Sequence, residues 1–97
     1  MTAWVYILAS RAGGALYVGA TTDLRRRTEQ HRAGTAGAHT ARYNIRTLVW
    51  FEAHDTLEAA LTRERSIKRW RRAWKDALIV AANPDWRDLA DQIPFDP

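Results

Sequence analysis

The sequence predicts a small α/β domain of the α+β kind, a three-stranded, mainly antiparallel sheet flanked by helices in the order ββαβαα. Three observations carry this expectation. Residues 4–9 are apolar at every position, as in a strand buried on both faces. A second short apolar run follows across the turn-forming pair Gly13 and Gly14, the pattern of a hairpin. The period then changes: after the β-favouring run at residues 47–53, apolar side chains recur at Leu57, Ala60, Leu61, Ile67 and Trp70, which is helical spacing.

Taken in order, the first strand carries Trp4, Tyr6 and Leu8 on one face and Val5, Ile7 and Ala9 on the other, and is expected at the centre of the sheet. Residues 10–14 turn the chain, and residues 16–19 return it. Thr22 or Asp23 caps a helix over residues 24–32 that stops before Gly34, where a loop of small residues, 34–40, begins. Leu48, Val49, Trp50 and Phe51 form the third strand. Asp55 or Thr56 caps a helix over residues 57–70, and another runs from about 73 to 82 and stops at Asn83 and Pro84. A further short helix is expected between residues 85 and 93. The reading is one domain over residues 1–90 with an acidic, proline-containing tail at 91–97.

Ninety-seven residues with 46% apolar side chains suit a single hydrophobic core. With no cysteine there is no disulfide, thiolate metal site or cysteine nucleophile, which points to a reducing compartment. The N-terminus has no secretory pattern, and the longest apolar run, residues 77–82, is far short of a membrane span of roughly 20 residues. A soluble, cytoplasmic protein with no membrane partner is expected. The formal charge of +4 is unevenly spread: residues 76–97 carry five aspartates against Arg87, leaving a net +8 on residues 1–75. A basic body of this kind is the electrostatic footprint of a phosphate-backbone binder, although a solvated face looks the same.

Some polar groups sit where periodicity demands apolar ones. Glu64 lies between Leu61 and Ile67 in the inward stripe of its helix, where a carboxylate needs a partner, either Lys68 one turn on or an arginine of the first helix. The first helix turns Leu24, Arg27, Thr28 and His31 to one face, bringing a cation and an imidazole toward the fold, while Arg25, Arg26 and Arg32 are placed for solvent. Tyr6 and Tyr17 stand one on each strand of the hairpin and, read singly, are core aromatics. Gly19 leaves room at the end of the second strand for close approach of another group.

Set together, these residues resemble the GIY-YIG nucleases. Val5-Tyr6-Ile7 stands at the GIY triplet, with valine in place of the glycine, and Tyr17-Val18-Gly19 at YIG. Arg27 matches the catalytic arginine, His31 the histidine or tyrosine one turn on, Glu64 the metal-binding glutamate and Asn83 the asparagine near the end of the module. The resemblance extends from about residue 4 to 89 and is greatest to the small stand-alone bacterial members, which also show patterns like Arg63-Glu64-Arg65 and Asn83-Pro84-Asp85-Trp86.

The resemblance implies a metal-dependent endonuclease acting on a nucleic acid, DNA before RNA, with a preference for structure as in repair or recombination. Glu64 would hold a single Mg²⁺ or Mn²⁺, and Arg27 would face the phosphate oxygens. Tyr6, Tyr17 and His31 are each candidates for the base, and the resemblance favours Tyr6, with Tyr17 orienting and His31 assisting. Gly19 and Asn83 would support the site. Arg25, Lys68, Arg69, Arg71, Arg72 and Lys75 are the candidate nucleic-acid contacts, the last five interleaved with Trp70, expected in the core, and Trp74, whose placement is open. The rival reading is a nucleic-acid-binding module of the same fold without cutting activity. A protein partner or a second copy of the chain is also open.

Overall fold

The central element of the computed structural model, which describes residues 1–94, is strand β1 (Ala3–Ala9), buried along its whole length. Strand β2 (Leu16–Thr21) pairs antiparallel on one side of it and β3 (Thr47–His54) antiparallel on the other, giving the sheet order β2-β1-β3. A strand between two others must be apolar on both faces when both are covered, and that is the composition read from residues 4–9.

One face, formed by Ala3, Val5, Ile7 and Ala9 of β1 with Val18 and Val49, packs against Ala60 and Ile67 of α3 (Leu57–Lys68) and Ile79 of α4 (Arg72–Ala82) in the numbering used here, in which α1 is Leu24–Ala33 and α2 is Ala38–Arg42. Val5 is fully buried in this layer, so the valine that replaces the glycine of the first triplet fills core volume. The opposite face, Trp4, Tyr6 and Leu8, packs against Leu24 of α1, Ile45, Leu48, and Leu89 and Ile93 of the C-terminal segment. Ile93 lies beyond the expected boundary at residue 90 and is nonetheless buried. The segment is anchored by the Leu89 amide, which donates to the Leu48 carbonyl at 2.8 Å, and by the Arg25 guanidinium, which donates to the Ile93 carbonyl at 2.9 Å.

Local chemistry fixes the helix ends. Asp23 accepts from the Arg26 amide to open α1, Gly34 closes it in the left-handed region at φ 75°, and Thr56 accepts from the Ala59 amide to open α3. The short helix α2 corrects the expectation of a structureless loop over residues 34–40. It has no apolar period of its own, and it forms where Thr40 is buried and Ile45, just beyond it, enters the core. After α4, only a 3-10 turn, Ala90–Gln92, is regular among the described residues.

Between Ile7 and Leu8 the β1–β3 register shifts: Ile7 faces Trp50 and Leu8 faces Leu48, so Val49 is the extra residue of a bulge. Asn83 Nδ2 donates to the Val49 carbonyl at 3.1 Å and to the Arg87 carbonyl at 2.9 Å, while its Oδ1 accepts from the Arg87 amide. Every polar atom of this buried side chain is therefore engaged in tying the bulge to the C-terminal loop. Among the described residues no helix is long and apolar enough to cross a membrane.

Candidate active site

The site begins with a missing side chain. Gly19 of β2 stands directly across from Tyr6 of β1, and a Cβ on Gly19 would lie 2.5 Å from both Cζ and Oη of the tyrosine. The Tyr6 ring lies over the bare backbone of the edge strand, with its hydroxyl directed across it. Tyr17, opposite Leu8 in the same register, faces the same side of the sheet. Its ring centroid is 6.2 Å from that of Tyr6 and 5.3 Å from that of His31, which reaches in from α1.

His31 is 2% exposed, and both of its ring nitrogens have partners. Nε2 is 3.3 Å from the Tyr6 hydroxyl and Nδ1 is 3.2 Å from Oγ1 of Thr40. Thr40 donates its hydroxyl hydrogen to the Gly37 carbonyl, so its oxygen accepts from Nδ1–H, leaving Nε2 to accept from Tyr6. Burial, and then the nearby Arg27 guanidinium, push the His31 pKa below the usual histidine value and keep the ring neutral. The Tyr6 phenol is held well above the ordinary tyrosine range, chiefly by burial and by Tyr17. Arg27 opposes that shift, and the Glu64 carboxylate adds to it.

The fields of Arg27 and Glu64 thus both reach the Tyr6 hydroxyl, although one comes from α1 and the other from α3 on the opposite layer. α3 packs across β2, the strand over which Tyr6 lies. Glu64 is withdrawn, its side chain 15% exposed, with Lys68 Nζ at 3.3 Å from its carboxylate. The carboxylate is withdrawn as read from sequence, and of the two partners expected for it, Lys68 or an arginine of the first helix, it pairs with Lys68. Arg27 is half-buried beside an open cavity of about 290 Å³ that it lines with Thr21, Thr22, Asp23, Arg26 and Gln30.

Tyr6, Tyr17, Gly19 and His31 therefore meet in one cluster, with Arg27 and Glu64 near enough to bear on the Tyr6 phenol. Asn83 does not join them, since its bonds go to Val49 and Arg87. Among the candidate nucleic-acid contacts, Arg25 holds the Ile93 carbonyl, Lys68 holds Glu64 and Arg72 pairs with Asp76 at 2.7 Å. Arg69 and Arg71 are exposed and Lys75 is half-buried. Thr40, which sets the histidine tautomer, was not a candidate from sequence. It lies nine residues from His31 in a stretch of small residues, with no periodicity to mark it.

A profile of the GIY-YIG catalytic domain matches residues 2–77, which spans both tyrosines, Arg27, His31 and Glu64. The chain belongs to the GIY-YIG family. This GIY-YIG chain is 41% identical over 75 residues to a UPF0213 protein of Haloquadratum walsbyi, covering 77% of this chain and 83% of the relative. It is 40% identical over 80 residues to one of Streptococcus pyogenes serotype M5, covering 80% and 85%. The solution NMR structure of a UPF0213 protein from Bacillus halodurans has a TM-score of 0.56 and 30% identity, covering 91% of this chain and 93% of that one. GIY-YIG membership places the chain in a nuclease superfamily that acts on nucleic acid and generally uses divalent metals.

Proposed function

We propose that this protein is a metal-dependent endonuclease that hydrolyses phosphodiester bonds in DNA and selects its substrate by structure, as in repair or recombination. The observation that carries the reading is the convergence of three rings, Tyr6, Tyr17 and His31, at a point reached by the fields of both Arg27 and Glu64. Hydrolysis needs a deprotonated water, donors for the phosphoryl oxygens and a Lewis acid, and the cluster offers residues for each.

Glu64 would hold a single Mg²⁺ or Mn²⁺, the source of Lewis acidity at the phosphoryl oxygens. The donor set fits such an ion. A carboxylate oxygen is the ligand a hard cation takes, and a single carboxylate would leave the rest of its shell to waters and phosphate oxygens. Lys68, now on that carboxylate, would give way to the ion. Arg27, beside its cavity, presents the planar fork of donors that fits phosphate geometry.

Tyr6 is a poor free base, because burial disfavours its phenolate. It acts instead as a relay. Its oxygen takes a proton from water while its own proton passes to His31 Nε2, and the His31 Nδ1–H stays on Thr40. The charge gained by His31 is opposed by Arg27 in the free protein. A phosphodiester on Arg27 offsets that repulsion, so proton acceptance is coupled to substrate binding. Tyr17, whose ring stands beside those of Tyr6 and His31, orients the water or the phosphate.

The test is cleavage of labelled single-stranded, duplex, flap, fork and four-way-junction DNAs in Mg²⁺, Mn²⁺ or EDTA, with wild type beside Glu64→Ala. Metal-dependent cutting by wild type alone is expected. The second reading, a binding module without turnover, is favoured by one observation, the Lys68 ammonium occupying the Glu64 carboxylate. Binding of the panel by both proteins with cutting by neither would put that reading first.

A further inference from the structure

The outer side of α3 and the junction between α3 and α4 take no part in this chemistry, yet they carry an unusual surface. Thr62, Arg65, Ser66, Arg69 and Trp70 line an open groove of about 480 Å³. Neither Arg65 nor Arg69 has a carboxylate within ion-pair distance among the described residues, whereas Arg63, Lys68 and Arg72 nearby are all paired. The groove offers two free guanidinium forks, two hydroxyls and the side of an indole.

Beside it stands Trp74, 52% exposed, in a molecule that buries Trp4 and Trp50 to 5%. Trp74 is held in place: its ring meets Trp70 edge-on, with centroids 6.2 Å apart at 78°, and the Arg71 guanidinium sits 4.8 Å from its centroid. Trp70 carries Arg63 at 5.3 Å in the same way. Arg63, Trp70, Trp74 and Arg71 thus form a ladder of two adjoining rings with a cation at each end, and its outer part faces water. A half-exposed indole contributes little to the core, and a fixed orientation lowers the entropy cost of using it for contact.

We infer that this face binds an unpaired segment of nucleic acid, with a base stacked at Trp74 and backbone phosphates on Arg65 and Arg69. Charge complementarity selects a polyanion, and the aromatic ladder selects one whose ring faces are free. A duplex keeps those faces inside its own stack except at its terminal pairs, and so offers an indole far less than an unpaired strand does. The groove and Glu64 lie on opposite flanks of the same helix. The inference rests on the nucleic-acid reading above and adds to it the single-stranded part of the substrate.

The test is fluorescence anisotropy in EDTA, using a labelled duplex with a single-stranded overhang and the same duplex blunt, on the full chain as wild type, Trp74→Ala, Trp74→Phe and Arg65→Ala/Arg69→Ala. Wild type is expected to bind the overhang more tightly. Trp74→Ala should weaken overhang binding by about five-fold or more and leave the blunt duplex unchanged, with Trp74→Phe intermediate. The double arginine variant should weaken both and flatten the salt dependence. Equal binding of overhang and blunt duplex by wild type, or an overhang advantage intact in Trp74→Ala and Trp74→Phe, overturns the inference. If Trp74→Ala fails to fold, Trp74→Phe decides by the same criterion. Structure-dependent cleavage alongside a Trp74-independent overhang would sink this inference alone, whereas no binding of either DNA, or of single-stranded RNA, would remove the nucleic-acid reading with it.

Discussion

Two regions of the molecule hold polar side chains in opposite ways. Between the sheet and α1, Tyr6, His31 and Thr40 are buried, and each is bonded to the next. On the outer side of α3 and α4, Arg65 and Arg69 stand in solvent with no carboxylate partner among the described residues, beside a half-exposed tryptophan. Buried polar groups must be satisfied, and satisfaction fixes their orientation, which is what proton transfer needs. Exposed cations carry no such obligation, and their free donors remain available to a partner. The difference separates a region organised for chemistry from one organised for contact.

Four changes test that separation, the first with the largest expected effect. Arg27→Ala should lower turnover by about 10²–10³-fold, as for loss of one donor to a developing charge, with little loss of stability because the side chain is only half-buried. Unfolding of the variant would reassign Arg27 to the core, and unchanged turnover would remove it from the site. Gly19→Ala comes next. Its methyl would fall on the Tyr6 ring, which has no free space, so a stability loss of about 1–3 kcal/mol is expected together with loss of activity. Thermal melting and cleavage assays check both, and a stable, active Gly19→Ala would show that Tyr6 need not lie across β2.

The third change is in pH. The folded His31 pKa lies below its unfolded value of about 6.5, so the unfolded chain binds the proton more readily. Its contribution to stability is full above about pH 6.5 and falls away as pH drops from there through the folded pKa. Denaturant titrations between pH 7.5 and 5 should show that decline in wild type and a flatter profile in His31→Gln. Equal slopes would mean that His31 is not held neutral by its surroundings. The smallest effect is on the outer face: Arg69→Ala should reduce the slope of log affinity against log salt by about 0.9. Arg72→Ala should do less, because Arg72 already pairs with Asp76. Equal changes would dissolve the contrast between paired and unpaired cations on that face.

Much of the candidate site was legible before the fold. Glu64 and His31 stood out as polar residues on inward helical faces, and the GIY-YIG resemblance joined them to Tyr6, Tyr17 and Arg27. Thr40 was not legible, because a hydroxyl in a run of small residues carries no signal until α2 places it against an imidazole. Asn83 read as a helix stop with a supporting role at the site, and only the β3 bulge explains where its amide goes. Ile93 was assigned to a tail, yet it completes the layer under Tyr6, since three residues of 3-10 turn leave no period to read.

The sequence by itself determined the sheet, the main helices and their inward faces, because strand alternation and helical spacing are local properties of which side chains share a face. It also determined that the body would be basic. The tertiary structure decided which polar groups meet. Whether the Tyr6 hydroxyl finds a histidine, whether Asn83 serves a bulge, and which arginines are left unpaired depend on contacts between residues far apart in the chain. Those contacts are selected by burial and hydrogen-bond satisfaction in the assembled layers, for which no local pattern codes.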